Sequence, residues 1–209
     1  MEKTKLPKFE FHDEEGAETL NVILHGGSGG IDSSFIKKLF ETSVATGNSA
    51  VMFNFLYLER GDEHSSGPEL KEELATLREI LKFCDAEKFK RIRLIGKSLG
   101  GIVASYFLRS IPQEEVDKYS VIILGYVLGD VDLRSFPGEI IVIQGEKDKF
   151  GNIETVKKDL SGTANNKIKY YEIQGADHSY RNPETKEHVY EDTVIGILKT
   201  IFLAKENPA

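Results

Sequence analysis

A single cysteine, Cys84, is all the thiol chemistry the chain has, which excludes an internal disulfide and any cysteine-based metal site. Cys84 lies in "LREILKFCDA", a stretch with helical spacing, where a small buried hydrophobe is the expected role. Long apolar runs are also missing. None approaches the roughly 20 residues that a membrane span requires, so neither a transmembrane segment nor a membrane partner is expected. The opening "MEKTKLPKFEFHDEEG" carries basic residues with no apolar stretch behind them, unlike a secretory signal, and a cytoplasmic location is the expectation. Five histidines (His12, His25, His64, His178 and His188) are scattered without ligand spacing, so no metal and no other cofactor is expected. Positive charge is in deficit: 27 Lys and Arg stand against 34 Asp and Glu, a formal charge of -7 that argues against a nucleic-acid partner. The basic cluster "KFKRIR" falls between a helix and a strand and is expected to be a solvated corner.

What is present is an alternation of short apolar runs with longer amphipathic ones from Leu20 to Leu203, undivided by repeats or proline-rich linkers. This predicts one α/β domain over 1–209, with frayed ends at 1–7 and 204–209. The strand candidates are "TLNVILHG", "SAVMFNFLY", "RIRLIG", "SVIILGY", "EIIVIQG" and "KIKYYEIQG", with "KFEFH" as an edge strand. Most are β-branched and apolar on both faces, as buried parallel strands must be, so the sheet should be mostly parallel, of about six to seven strands, with helices on both faces. Asp32 is expected to cap a helix through Phe35, Leu39 and Phe40 that stops at Gly47. Ser66, Gly67 and Pro68 should open a second with Leu70, Leu74, Leu77 and Leu81 along one face. A third follows Gly100 and Gly101 and ends before Pro112. Ile153, Val156 and Leu160 mark a fourth, and Val194, Ile197, Leu198, Ile201 and Phe202 the last. Several strands end in glycine-bearing turns, and in an open α/β sheet the ligand site lies off the carboxyl ends of the strands.

"LIGKSLGG", Leu94 to Gly101, fits two chemistries. A phosphate-cradling loop ending in Gly96-Lys97-Ser98 would need its first glycine at position 91, which is Arg91, and the residues before Gly96 read as strand. Gly96-Lys97-Ser98-Leu99-Gly100 instead matches Gly-x-Ser-x-Gly between a strand and a helix, the context in which a serine is presented as a nucleophile. The glycines let the serine take a strained conformation at the tip without side-chain collisions on either side.

Four segments, in order, resemble the α/β-hydrolase family, and the resemblance spans nearly the whole chain. "VILHGGSGG" resembles its His-Gly turn, "LIGKSLGG" its nucleophile elbow, "VIQGEKDKFGN" its acid-bearing turn and "GADHSY" its histidine loop. The nearest likeness is to small members without a cap, of the dienelactone-hydrolase-like and serine-esterase type. Dienelactone hydrolase itself uses cysteine where this chain has Ser98, so that substrate is not implied.

The resemblance implies Ser98 as nucleophile, His178 as general base and, in the family's chain order, Asp148 as the acid between them. Imidazole suits the base role, because its ordinary pKa of about 6.5 lets it take a proton and return it. His188 is the rival base, at or within the start of the last helix and facing solvent. Asp130 and Asp132 are the alternative acids, and Glu146 reads as a turn or surface carboxylate. The backbone N–H groups of Leu99 and Gly27, with Ser28 as the fallback, are the implied oxyanion donors. His25 resembles a structural residue that braces the turn. Lys97 is expected to pack or hydrogen-bond beside the elbow, and Tyr57, Tyr126, Phe150 and Tyr180 are candidate pocket residues. The implied function is hydrolysis of a carboxylic ester or related acyl bond of a small molecule through an acyl-enzyme. Competing readings are an acyl thioesterase, a peptidase, or a non-catalytic ligand- or protein-binding module on the same scaffold. The segment from Gly125 to Asp148 includes a strand and leaves no room for a helical lid.

Overall fold

The computed structural model describes residues 6–163 and 165–204. Among these, seven strands form one sheet: β1 (Phe9–His12), β2 (Thr19–Leu24), β3 (Ser49–Phe53), β4 (Arg91–Lys97), β5 (Tyr119–Leu124), β6 (Ile140–Gly145) and β7 (Ile168–Ile173). Their order is β1-β3-β2-β4-β5-β6-β7. Only β1, at the edge, is antiparallel to its neighbour; the other pairs are parallel.

Among the described residues six α-helices connect or flank the strands: α1 (Ser34–Ala45), α2 (Leu56–Glu59), α3 (Lys71–Phe83), α4 (Leu99–Leu108), α5 (Ile153–Leu160) and α6 (Glu191–Leu203). Alternate strand residues serve opposite faces. Val22, Leu94, Val121 and Val142 pack with Leu77, Val103, Phe107 and Val156 of α3, α4 and α5. Ile23, Ile95, Ile122 and Ile141 pack with Phe35, Leu39, Val194 and Leu198 of α1 and α6. Each such side chain contributes roughly 1.5–3 kcal/mol by leaving water, which is why the central strands are rich in Val, Ile and Leu on both faces.

Several local expectations are corrected. Asp32 does not cap α1; it sits in a 3-10 turn and pairs with Lys8 at 2.7 Å and Lys37 at 3.6 Å, while Ser33 occupies the cap position. The run expected to continue to Tyr57 leaves the sheet after Phe53. There Asn54 turns to accept the Ile31 N–H through its Oδ1 at 2.9 Å, and the Phe55 N–H is taken by His25 at 2.9 Å. α3 begins only at Lys71, after Leu70 in a left-handed conformation, although Ser66 Oγ still accepts the Glu72 N–H. α4 contains Gly100 and Gly101 instead of following them. Arg93, read as part of a solvated corner, is buried, donates to Asn21 Oδ1 at 3.1 Å and lies over the Phe202 ring. Of the ends read as frayed, residues 1–5 and 205–209 lie outside the described residues; Leu6 packs against the core and Pro7 is buried.

No helix among the described residues is long and apolar enough to cross a membrane. The stretch between β5 and β6 holds no helix, and among the described residues no lid domain covers the carboxyl ends of the strands. The chain crosses from β3 on one side of β2 to β4 on the other. The crevice between the ends of β2 and β4 is therefore the switch point where such sheets hold ligands.

Candidate active site

Register alone brings the key turns together. Leu24 of β2 pairs with Gly96 of β4, so His25 and Gly26 emerge beside Lys97 and Ser98, and Lys97 pairs with Leu124, which brings Gly125 alongside. Ser98 stands between β4 and α4 with φ 51° and ψ -113°, a conformation that costs a non-glycine residue of order 1–3 kcal/mol. The surroundings hold it there: Ser98 N–H donates to the Leu124 carbonyl at 3.0 Å and its own carbonyl accepts from Gly101 at 2.8 Å. A Cβ on Gly96 would come within 2.5 Å of the Gly100 backbone, and one on Gly100 would strike the Leu24 carbonyl. Strand and helix can meet this closely only because both positions are glycine.

His178 lies in the turn after β7 and Asp148 in the turn after β6. His178 Nδ1–H donates to Asp148 Oδ2 at 2.7 Å. A carboxylate can only accept, so Nε2 of the neutral ring is the acceptor, and Ser98 Oγ–H donates to it at 2.8 Å. The structure thus brings Ser98, His178 and Asp148 into one hydrogen-bonded chain. The Asp148 side chain is fully buried, and two further donors hold it: Phe150 N–H on Oδ1 at 2.8 Å and Gln144 Nε2–H on Oδ2 at 2.9 Å.

The rival residues are placed elsewhere. Asp130 is exposed, and Asp132 pairs with Arg134 at 3.1 Å and Arg109 at 3.4 Å. Glu146 accepts the Gly175 N–H and pairs with Lys147, as a turn carboxylate would, and the Gly175 bond holds its pKa below the usual range. His188 precedes α6 and donates through Nδ1 to the buried Glu191 at 2.6 Å; its exposed ring reaches the rim of the cleft. His25 is fully buried: Nδ1–H donates to the Gly26 carbonyl and Nε2 accepts from Phe55. Burial lowers its pKa, which keeps the ring neutral in that tautomer.

None of the four aromatic pocket candidates lines the cleft, and all four are corrected. Tyr57, Tyr126 and Tyr180 are each at most 1% exposed, because their hydroxyls find partners inside the protein. Tyr57 donates to the Gly27 carbonyl, Tyr126 to Asp159 Oδ2 at 2.6 Å with the Val131 carbonyl 3.1 Å away, and Tyr180 to the Ile143 carbonyl. Phe150 is the exposed one, and its ring meets the His178 ring edge-on at 4.6 Å. It braces the imidazole and does not line the cleft.

That cleft, of about 330 Å³, is bounded by Gly26 to Gly29, Ser98, His178 and Arg181, with Phe35 and Ile36 as its apolar wall. A larger one of about 570 Å³ opens by Ile92 and Tyr119, at the amino ends of β4 and β5, away from these residues. Among the described residues no group of three or more His, Cys, Asp or Glu could hold a metal ion. Cys84 is buried, and burial pushes its thiol up to about 12.

Lys97 donates from Nζ to the His178 carbonyl at 2.7 Å and lies over the Tyr180 ring. Burial lowers its ammonium to about 8, against the opposing pull of Asp148 and Asp177. Between about pH 8 and its ordinary 10.5, the folded chain therefore binds fewer protons at this site than the unfolded one, and stability rises with pH. Relative to Lys97→Met, which keeps the buried stem, the protein should gain about 2 kcal/mol between roughly pH 7 and 10. Urea denaturation at the two pH values measures this; equal stability differences at both would refute it.

Two residues of the site escape motif reading. Gln144 is the lone polar residue of "IIVIQG", and that isolation in a buried strand is its signal. Besides Asp148, it donates to the Gly151 carbonyl at 2.6 Å and accepts the Tyr126 N–H at 2.7 Å. Gly125 has φ 74°, and a Cβ there would fall 2.9 Å from His178 Cε1.

The profile of a family described as alpha/beta hydrolase domain matches residues 17–202. No curated protein sequence matches significantly. Among solved structures, a lidless α/β serine hydrolase from Xanthomonas campestris is similar at TM-score 0.69 and 17% identity, over 96% of this chain and 89% of that one. A putative alpha/beta hydrolase of unknown function from Agrobacterium tumefaciens is similar at TM-score 0.67 and 17% identity, over 92% and 88%. Est1E of Butyrivibrio proteoclasticus, solved with ferulic acid bound, is similar at TM-score 0.68 and 15% identity, over 94% of each chain. At these identities the likeness is one of fold.

Proposed function

The chain belongs to the α/β-hydrolase family, and from that premise we propose that it is a serine hydrolase cleaving a carboxylic ester or related acyl bond through an acyl-enzyme on Ser98. The observation that carries the reading is the continuous chain from Ser98 Oγ through His178 to Asp148, at 2.8 and 2.7 Å. Ser98 Oγ attacks the acyl carbon as its proton passes to His178 Nε2. Asp148 holds Nδ1–H, fixing the tautomer and stabilising the imidazolium that forms. Charge developing on the carbonyl oxygen is met by the Leu99 N–H at the start of α4 and by the Gly27 N–H, with that of Ser28 beside it. One such donor is worth about 2.7–4 kcal/mol. Collapse of the adduct breaks the bond to the leaving alcohol, which takes the proton from His178. Water then repeats the cycle on the acyl-enzyme and releases the acid.

The small cleft, with Phe35 and Ile36 as its apolar wall, favours short acyl groups over long lipid chains. A fluorophosphonate probe tests the proposal: intact mass should show one adduct on the wild type and none on Ser98→Ala. Rates on the ester, thioester and amide of one acyl group should then rank the ester first. A folded wild type that stays unlabelled overturns the proposal in favour of a binding module.

A further inference from the structure

Tyr57 lies outside the cleft yet is tied to the glycine turn that borders it. The ring stacks on Phe55 with 23° between planes, and the hydroxyl donates to the Gly27 carbonyl at 3.0 Å. Burial pushes that hydroxyl up to about 12, so it remains a donor at any pH the protein would work at. Gly27 itself is exposed and has no atom within 4 Å of the place a Cβ would take, so packing does not orient it. Hydrogen bonds do so from both sides. His25 Nδ1–H holds the Gly26 carbonyl at 2.5 Å, and Tyr57 holds the Gly27 carbonyl.

In a planar trans peptide the C=O and N–H point in opposite directions. Clamping the Gly26 carbonyl therefore aims the Gly27 N–H, and clamping the Gly27 carbonyl aims the Ser28 N–H away from the core that holds Tyr57. We propose that Tyr57 is a positioning residue of the oxyanion hole: without touching substrate, it pre-orients the Ser28 N–H of the glycine turn. Preorganised donors are effective because nothing need reorient when charge develops, and a glycine turn released on one side would lose that benefit. This inference rests on the serine-hydrolase reading above.

The test is Tyr57→Phe, which keeps the stacked ring and removes only the hydroxyl. With rates counted per fluorophosphonate-labelled site, kcat on a short ester should fall about 10- to 50-fold while KM moves less than about twofold. The inhibition constant of a boronic acid, whose tetrahedral adduct carries the oxyanion, should rise by the same factor, and that of the product carboxylate should not. A variant whose kcat per labelled site equals the wild type, or whose boronate affinity does not follow kcat, overturns the inference. Should the variant not fold, 3-fluoro- and 3,5-difluorotyrosine at position 57 keep the shape and strengthen the donor. There kcat and boronate affinity should shift together at constant KM, and a flat series overturns the inference. A wild type that neither hydrolyses esters nor takes the probe refutes the hydrolase reading itself, whereas an active wild type with an unaffected Tyr57→Phe refutes only the role of Tyr57.

Discussion

Alanine at position 98 is expected to lower kcat/KM on a short-chain ester by about 10⁴- to 10⁶-fold, with little change in stability. The large loss follows because the Ser98 oxygen would be the atom that bonds to the acyl carbon, and among the described residues no other hydroxyl is hydrogen-bonded to His178. The small structural cost follows from the backbone. Alanine pays the same penalty at φ 51° as serine does, and the bonds that hold the tip, to Leu124 and from Gly101, come from the main chain. Residual rate above the uncatalysed reaction would come from substrate binding and the oxyanion donors alone. KM should change little, since the hydroxyl contributes to the transition state and not to ground-state binding. Steady-state kinetics beside a melting curve separate these effects. More than about 1% of wild-type turnover in a folded Ser98→Ala protein would mean that another group is the nucleophile.

The parts of this molecule that could be read from sequence are those in which one constraint dominates. Strands buried on both faces must be largely apolar and β-branched, so β2, β4, β5 and β6 stand out by their Val, Ile and Leu content despite single polar residues such as Asn21, Arg93 and Gln144. The elbow is legible because close approach of strand and helix excludes a side chain at Gly96 and at Gly100. Ser98, Asp148 and His178 could be singled out because the segments that carry them resemble the α/β-hydrolase family in its order, each at a turn leaving the same end of the sheet. What could not be read depends on contacts between distant segments. Whether Tyr57 faces the cleft or the core is decided by the turn at Asn54, which exists because Ile31, 23 residues earlier, offers it an N–H. Tyr126 and Tyr180 look like pocket residues by position, yet their hydroxyls find Asp159 and the Ile143 carbonyl, 33 and 37 residues away. Aromatic residues at an active end are ambiguous in sequence because the same ring can cover a ligand or anchor a loop.

Gln144 shows the same dependence and sets the second large expectation. Asp148→Asn should reduce kcat about 10³- to 10⁴-fold, because neither orientation of the new amide satisfies its neighbours. With the amide nitrogen in the place of Oδ2, it would face the Gln144 amide nitrogen. Gln144 cannot turn to accommodate it, since its Oε1 already takes the Tyr126 N–H and its Nε2 serves the Gly151 carbonyl. That orientation would also donate to His178 Nδ1, force the proton onto Nε2 and deprive Ser98 of its base. With the amide oxygen in that place, the tautomer survives, but the nitrogen then meets the Phe150 N–H head-on, at a cost of roughly 1–3 kcal/mol. The charge that would stabilise the imidazolium is gone in both. Because Gln144 opposes the first orientation, the second should prevail, so KM should hold while kcat collapses and the melting temperature drops by a few degrees. The double variant Ser98→Ala/Asp148→Asn distinguishes a loss through the serine from a general loss of structure. If Asp148 acts only through His178 and Ser98, the double variant should be no slower than Ser98→Ala alone. A further drop of about 10³-fold would instead mean that Asp148 supports some step in which Ser98 has no part.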